Sequence, residues 1–165
     1  MKNSRGGLLG LHDLFVKLAS YLQSPLLLVV RLYWGWLFAQ DGWAKLHNLS
    51  GVTDFFTSLN LPFPHLTAIF ISTIELVGGI LLALGLLSRL TGLALTINMA
   101  VAYITADREA LLSVFSDPEK FYNATPYTFL FAALLILVFG PGLFSLDTLF
   151  ARRFKKPPAG NSIAA

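Results

Sequence analysis

The chain has 165 residues, of which 55% are hydrophobic and 13% are charged, and its formal net charge is +3. Because soluble domains carry roughly 25% charged residues, this composition excludes an ordinary soluble globular protein and predicts an integral membrane protein. The length allows one domain with about four spanning helices of about 20 residues each. The chain contains no cysteine, which excludes a disulfide framework and a thiol relay on it.

Residues 1–24 are predicted to form an amphipathic helix that lies on the cytoplasmic face of the membrane. Asp13 and Lys17 interrupt the apolar sequence in this segment, which argues against a signal peptide. Apolar residues nevertheless recur at the spacing of one helix face. They are Leu11, Leu14, Phe15, Leu18 and Leu22.

Residues 25–147 contain four apolar segments, which predict an all-α fold in the form of an integral membrane four-helix bundle. The segments cover residues 25–46, 66–87, 90–105 and 127–139. Ser24 is predicted to cap the first helix, and Pro25 to occupy its first position, where a missing N–H group does no harm. Gly140, Pro141 and Gly142 are predicted to end the fourth helix.

Residues 148–165 are predicted to form a short basic cytoplasmic helix followed by a disordered tail. Ser145 and Asp147 are predicted to cap this helix. Its apolar side chains are expected to face the membrane, and its basic side chains to face anionic lipid headgroups. The apolar residues are Leu146, Leu149, Phe150 and Phe154, and the basic residues are Arg152, Arg153, Lys155 and Lys156.

The distribution of lysine and arginine predicts that both termini lie in the cytoplasm. In that orientation eight basic residues fall on the cytoplasmic side and three on the outer side. The basic balance therefore reflects membrane topology and lipid headgroups, and we expect no nucleic-acid partner. The cytoplasmic set is Lys2, Arg5, Lys17, Arg89, Arg152, Arg153, Lys155 and Lys156, and the outer set is Lys45, Arg108 and Lys120.

Arg31 and Glu75 lie inside apolar segments, where a charge costs roughly 2.5 to 3.5 kcal/mol on insertion scales and persists only if it is paired, hydrated or used. The helical rise places Glu75 and Asn98 at a similar depth. We therefore predict a buried Arg31–Glu75–Asn98 cluster between the first three spanning helices. One interpretation is a structural ion pair that fixes helix packing. The other is a quinone pocket, in which Arg31, Asn98 and Lys45 donate hydrogen bonds and Glu75 accepts a proton.

Other kinds of catalytic site find no support in the sequence. His12, His47 and His65 are isolated from one another, so no metal or haem site is predicted. The sequence also has no phosphate-binding loop, dinucleotide motif or nucleophile elbow. No catalytic residue can be assigned, and any redox role requires a bound cofactor or a partner protein.

Four motifs follow one another along the chain. They are Arg31-x3-Gly35-x2-Phe38-x3-Gly42-x2-Lys45, then Glu75-x2-Gly78-Gly79, then Gly85-x3-Arg89, and finally Gly140-Pro141-Gly142-x2-Ser145-x-Asp147. In this order they resemble the DoxX family of small four-helix bacterial and archaeal membrane proteins. The resemblance extends over residues 24–147. It implies a location in the bacterial cytoplasmic (inner) membrane.

The resemblance also implies a link to redox chemistry. Related DoxD-type proteins are known as the membrane subunit of a thiosulfate:quinone oxidoreductase. By that resemblance the chain is expected to act as a membrane module of a redox-linked complex, without catalysis on its own. An alternative is a quinone-binding subunit that receives electrons from a partner protein. A small-molecule transporter is a third option, which the absence of an inverted repeat weakens. A homo-oligomer is left open.

Overall fold

A computed structural model of the protein describes residues 4–154, with side chains for residues 12–153. Within this part of the chain the structure is helical and contains no strand, which confirms the predicted all-α class. The helices are α1 (Ser4–His47), α2 (Leu49–Ser58), α3 (Pro64–Leu84), α4 (Ser88–Thr105), α5 (Arg108–Leu112), α6 (Pro118–Asn123), α7 (Thr125–Phe139) and α8 (Leu146–Phe154). The tail predicted to be disordered, including Lys155 and Lys156, lies outside the described residues.

Helix α1 is one continuous helix of 44 residues that passes through Pro25. The predicted helix start at Pro25 is therefore wrong, and so is the predicted cap. The Ser24 hydroxyl instead accepts a hydrogen bond from the backbone N–H of Leu143 at 3.2 Å. A proline removes one backbone donor from a helix interior, but the apolar and helix-forming residues on both sides of it continue the helix here. At about 1.5 Å per residue, α1 is about 66 Å long.

Helices α1 and α3 pack antiparallel with their backbones in contact. A Cβ atom added to Gly42 would lie 2.6 Å from the carbonyl oxygen of Ser72, and one added to Gly35 would lie 2.8 Å from that of Gly79. No side chain fits at these positions, so the glycines fix how the two helices are aligned. Gly42 lies opposite the segment 72–76, and Gly35 opposite the segment 79–83.

Helices α4 and α7 form a second pair, which closes the bundle. A Cβ atom on Gly92 would lie 3.2 Å from the carbonyl oxygen of Ala133, which again allows close approach of the two backbones. The apolar core lies among α1, α3, α4 and α7. It comprises Leu27, Val30, Phe38, Leu82, Leu95, Met99, Ala132, Ala133 and Ile136.

Apart from the start of α1, the ends of the long helices differ from the predicted ends by a few residues at most. Helix α3 ends before Gly85, which adopts a left-handed conformation with φ +67°, the usual role of glycine after a helix. Helix α7 ends at Phe139, as predicted, and Gly140 follows with φ +78°. Helices α2, α5 and α6 were not predicted, because segments of 10, 5 and 6 residues are too short for a distinct periodic pattern.

Ser145 and Asp147 both act as helix caps, but at different helices. The Ser145 hydroxyl accepts a hydrogen bond from the Thr148 N–H at 3.1 Å, which confirms its role at the start of α8. The Asp147 carboxylate instead accepts hydrogen bonds from the N–H groups of Leu87 and Ser88, each at 2.8 Å. It therefore caps α4, contrary to the prediction, since α8 begins beside the α3–α4 turn.

Two helical stretches among the described residues are long and apolar enough to cross a membrane, judged by length and composition. They are His12–His47 and Pro64–Leu84. The segment Thr125–Phe139 is a shorter apolar helix.

Candidate functional site

Glu75 on α3 is almost completely buried, with 1% of its surface exposed. Lys45 of α1 donates a hydrogen bond from Nζ to the Glu75 Oε2 atom at 2.6 Å. Asn98 of α4 donates from Nδ2 to the Oε1 atom at 2.9 Å. Three helices thus contribute one polar side chain each, and each carboxylate oxygen has a partner. We call Lys45, Glu75 and Asn98 the polar cluster.

Asp41 connects the polar cluster to the surface of the protein. It lies one turn before Lys45 on α1, and its Oδ2 atom is 2.9 Å from the Lys45 Nζ atom. Asp41 is 46% exposed and Lys45 28% exposed. Sequence analysis did not include Asp41 in the site. The i, i+4 spacing of an acid and a lysine was the available signal.

Arg31 does not join the polar cluster, although the sequence predicted that it pairs with Glu75. The Gly42 contact places Glu75 opposite the C-terminal part of α1. Arg31 lies 11 residues before Gly42 in the sequence, or about 16 Å along the helix, which an arginine side chain cannot span. The prediction was wrong because the sequence of each helix indicates its own burial depth but not its alignment along the neighbouring helix. Lys45, which the sequence offered as an additional donor, is the partner instead.

Arg31 lies near the middle of α1, beside the α3–α4 turn, where its side chain is fully buried. Its Nη2 atom donates a hydrogen bond to the backbone carbonyl of Phe144. Its Nη1 atom occupies the space that a side chain on Gly85 would need. The Nε and Nη1 atoms have no hydrogen-bond partner among the described residues. Arg31 therefore joins α1 to the α3–α4 turn and to the segment before α8.

The polar cluster faces a cavity of about 520 Å³. This volume falls in the range of about 300 to 1,000 Å³ that is typical of small-molecule sites. Asp41 and the three residues of the polar cluster line the cavity together with apolar side chains of α2, α4 and α7, whereas Arg31 is not among its lining residues. Apolar lining residues include Phe55, Phe56, Leu59, Met99 and Phe129.

The polar cluster retains donors for a ligand. A lysine ammonium has three N–H donors, and Lys45 directs two interactions to Glu75 and Asp41. An asparagine amide has two N–H donors, of which Asn98 directs one to Glu75. The third donor of Lys45 and the second of Asn98 therefore remain for an acceptor atom in the cavity. This arrangement suits a largely apolar molecule with a carbonyl group.

Metal binding has no comparable support. Among the described residues, no group of three or more His, Asp or Glu side chains could hold a metal ion. His47 instead contacts the backbone carbonyl of Trp43 at 2.9 Å.

These features define an all-helical protein in which a buried ion pair lies beside an apolar cavity. The family model named DoxX matches residues 26–108, which is half of the chain and includes Arg31 and the polar cluster. The chain belongs to the DoxX family, whose members are membrane-associated. Helices α7 and α8 lie beyond the matched segment.

A relative from Bacillus subtilis (strain 168), named "Putative oxidoreductase CatD", is 34% identical to the chain over 83 residues. The aligned segment covers 50% of this chain and 60% of that protein. The chain therefore matches less than two thirds of the length of this curated relative. No solved structure matches the chain.

Proposed function

We propose that the protein is a membrane module of a redox-linked complex and that its cavity binds a quinone-type ligand. One observation carries this proposal. The buried polar cluster, with donors still available, lies on the wall of an otherwise largely apolar cavity. The relative named as an oxidoreductase is consistent with a redox role for the family segment that the two proteins share.

The proposal places α1, α3, α4 and α7 across the bacterial cytoplasmic membrane as a four-helix bundle. Helices α1 and α3 contain stretches long and apolar enough to cross. Helix α4 has 18 residues and α7 has 15, or about 27 and 22 Å, which approaches the hydrocarbon thickness of about 30 Å. The excess of lysine and arginine on one side supports cytoplasmic termini. The cavity then opens in the outer half of the bundle.

The residues around the cavity have distinct roles in this proposal. Lys45 and Asn98 donate hydrogen bonds to a ligand carbonyl, and the aromatic side chains of α2 and α7 pack on the ring. A bound quinone supplies two-electron, two-proton chemistry. Glu75 is placed to hold a proton, and Lys45 and Asp41 connect it to the aqueous edge. The chain carries no thiol, so the electrons come from a partner protein.

A purely architectural module is the second candidate, and one observation favours it. Both oxygens of Glu75 already have partners from α1 and α4, as expected of an ion pair that fixes helix packing. In that case the cavity contains lipid or water, and the partner protein carries the redox chemistry. No observation among the described residues favours a transporter.

The test is mass spectrometry of the protein extracted in native lipid, with quinone quantified per chain. Wild type is compared with Glu75→Gln and with the matched control Glu109→Gln, which removes the same charge from a side chain that is 89% exposed. We expect stoichiometric quinone in wild type and in the control, and its loss in Glu75→Gln. Thermal melting of each variant confirms that it is folded.

A titration with a short-chain quinone analogue in lipid nanodiscs gives an independent readout. Asn98→Leu keeps the Lys45–Glu75 ion pair and removes the Asn98 donor, so we expect it to weaken binding while the protein stays folded. Failure of the wild-type protein to bind any quinone analogue would contradict the quinone proposal. A stoichiometric protein partner without quinone would then support the architectural module.

A further inference from the structure

Asp41 and Lys45 are partly exposed charged side chains near the middle of the bundle. Helix α3 has 21 residues, or about 31 Å, which matches the hydrocarbon thickness of about 30 Å. Gly42 lies opposite the segment 72–76, which is the middle of α3. Its neighbour Asp41 is 46% exposed, and Lys45, less than one turn further on, is 28% exposed. Both charges therefore lie near the middle of the membrane in the arrangement proposed above.

These charges do not cancel within the protein. Asp41 and Glu75 share the single ammonium group of Lys45, so two negative charges face one positive charge and the group is net negative. A net charge at this depth is strongly unfavourable unless water reaches it. Asp41 and Lys45 both line the cavity, so water in the cavity is the solvent available to them.

The break between α1 and α2 gives a second, independent indication of water. Helix α1 ends at His47 and α2 begins at Leu49. Asn48 lies six residues beyond Gly42, or about 9 Å along the helix axis, whereas the membrane boundary is about 15 Å from the middle. A helix break at this depth is tolerated where it is buried in protein or lines a water-filled cavity. Asn48 is exposed and lines the cavity.

The cavity extends from the polar cluster toward one end of the bundle. Its lining residues follow α4 from Asn98 to Thr105, a distance of about 10 Å. They continue to Asp107, in the α4–α5 turn, and to Thr125, at the start of α7. In the orientation proposed above, this end is the outer side of the membrane.

The bundle is closely packed in the other direction. Phe38 lies one turn before Asp41 on α1, and Leu95 lies one turn before Asn98 on α4. Both side chains are fully buried, and so is Leu82 on α3. Further along, the buried Arg31 side chain fills the space beside the α3–α4 turn. These side chains separate the polar cluster from the cytoplasmic end.

We infer that the cavity is a water-filled half-channel, with Asp107 and Thr125 at its mouth and Glu75 and Asn98 at its closed end. Water connects Glu75 with the outer side of the membrane and not with the cytoplasm. Protons therefore reach and leave the Glu75 region from the outer side alone. The inference rests on the membrane arrangement of the proposed function and not on its ligand.

The half-channel gives a direction to the proposed redox function. Reduction of a quinone takes up two electrons and two protons. The electrons come from the partner protein, as proposed above, and both protons come from the outer aqueous phase. Oxidation of the quinol returns two electrons to the partner and releases two protons to the same side.

Single cysteines in the full chain test the inference, because the chain has no cysteine of its own. Met99→Cys and Ala102→Cys place a thiol on the cavity wall. Ile97→Cys is the matched control on α4, since Ile97 is 56% exposed but does not line the cavity. A charged, membrane-impermeant methanethiosulfonate reagent is added to the outer or to the cytoplasmic face of oriented vesicles. Because it reacts with the thiolate, a thiol in lipid is protected.

We expect the two cavity thiols to react several-fold faster than the thiol of Ile97→Cys, and only from the outer face. Reaction from the cytoplasmic face, from both faces or from neither would overturn the inference. Equal rates at the cavity positions and at Ile97→Cys would also overturn it. Thermal melting shows whether each variant is folded.

Hydroxyl-radical footprinting of the wild-type protein in nanodiscs requires no substitution. The radicals form from water and oxidise the side chains beside it. Phe129 lines the cavity, whereas Phe131 on the same helix does not and is 53% exposed. We expect Phe129 to be oxidised several-fold faster than Phe131. Equal or slower oxidation of Phe129 would overturn the inference.

These measurements distinguish the half-channel from the quinone proposal. Outer access to the cavity without binding of any quinone analogue would contradict the proposed ligand alone. Quinone binding with no access from the outer face would contradict the half-channel alone.

Discussion

Arg31 and Lys45 are two cations on one helix, and they lie in opposite kinds of environment. Arg31 is fully buried, and it donates to the backbone carbonyl of Phe144. Lys45 is partly exposed, bridges two carboxylates and lines a cavity. The sequence placed both in the same candidate site. The structure separates them by about 21 Å along α1.

The comparison shows what distinguishes a structural cation from a candidate ligand donor. The guanidinium of Arg31 fills the space beside a glycine, so nothing else can bind there. The ammonium of Lys45 has a donor left and space in front of it. Burial of a charge therefore does not identify a site by itself, and unused hydrogen-bonding capacity beside a cavity is the more informative feature.

The largest effect is expected from a substitution at Gly85, because it would displace the Arg31 side chain from its buried position. Gly85→Ala introduces a Cβ atom where the backbone is left-handed, with φ +67°, and where the Arg31 guanidinium lies. The left-handed conformation costs roughly 1–2 kcal/mol for alanine, and displacing Arg31 loses a charged hydrogen bond of about 1.5–3 kcal/mol. We expect the free energy of unfolding to fall by roughly 3 kcal/mol, measured by equilibrium unfolding in lipid.

Gly78→Ala is the matched control for this prediction. Its Cβ atom would lie 3.0 Å from Cδ2 of Leu95, a flexible side chain that can shift. Alanine is also favoured over glycine inside a helix by roughly 0.5–1 kcal/mol, so the two effects nearly cancel. An equally small change for Gly85→Ala would show that Arg31 does not depend on the α3–α4 turn.

An intermediate effect is expected in double-mutant cycles that compare the two cations directly. The Lys45–Glu75 cycle, with Lys45→Met and Glu75→Gln, should give a coupling energy of about 1–3 kcal/mol because the two residues are in contact. The Arg31–Glu75 cycle, with Arg31→Gln, should give less than about 0.5 kcal/mol because the residues are far apart. The measured quantity is the free energy of unfolding of each single and double variant.

The opposite result in these cycles would support the Arg31–Glu75 ion pair that the sequence predicted. A strong Arg31–Glu75 coupling with a weak Lys45–Glu75 coupling would contradict the alignment of α1 and α3 that the glycine contacts define. Ligand binding by each single variant sharpens the comparison further. We expect Glu75→Gln to lose the ligand, and Arg31→Gln to retain it for as long as the protein stays folded.

The smallest effect is expected at an ion pair of similar chemistry outside the bundle. Lys120 lies 2.9 Å from Glu109, and its hydrogen bond lowers the pKa of that carboxylate below the ordinary value of 4.5. A carboxylate whose folded-state pKa is lowered stabilises the protein at neutral pH, and this contribution is lost as the pH falls through the folded-state pKa. Because the pair is exposed, solvent screens it strongly.

Melting temperatures measured from pH 7 down through the acidic range test this expectation. Wild type and Glu109→Gln should differ slightly at pH 7, with wild type the more stable, and should converge as the pH falls through the folded-state pKa of Glu109, because the carboxylate then becomes protonated. A difference that grows on acidification would contradict the sign of the effect. If Glu109→Gln lowered the melting temperature at pH 7 as much as Glu75→Gln does, the exposed ion pair would stabilise the protein as strongly as the buried one, contrary to this prediction.

The sequence determined the features that depend on local pattern. Apolar length and composition defined the four long helices, because spans and breaks are encoded within a few turns. The end of α7 before Gly140 followed from the same rules, as did the cap provided by Ser145. Glu75 and Asn98 were also grouped correctly, since each lies near the middle of its helix and adjacent helices bring such positions together.

Only the tertiary structure decided which partners meet across helices. The alignment of α1 with α3 depends on backbone contacts at Gly35 and Gly42, and a shift of a few residues would separate Glu75 from Lys45. Asp147 caps α4 because α8 begins beside a turn about 60 residues earlier in the chain. The helix start predicted at Pro25 was wrong for a similar reason, since a proline is compatible with a helix start and with a helix interior that loses one hydrogen bond. Periodicity fixes which face of a helix is buried, whereas the axial position of one helix against another depends on close contacts that only the packed structure contains.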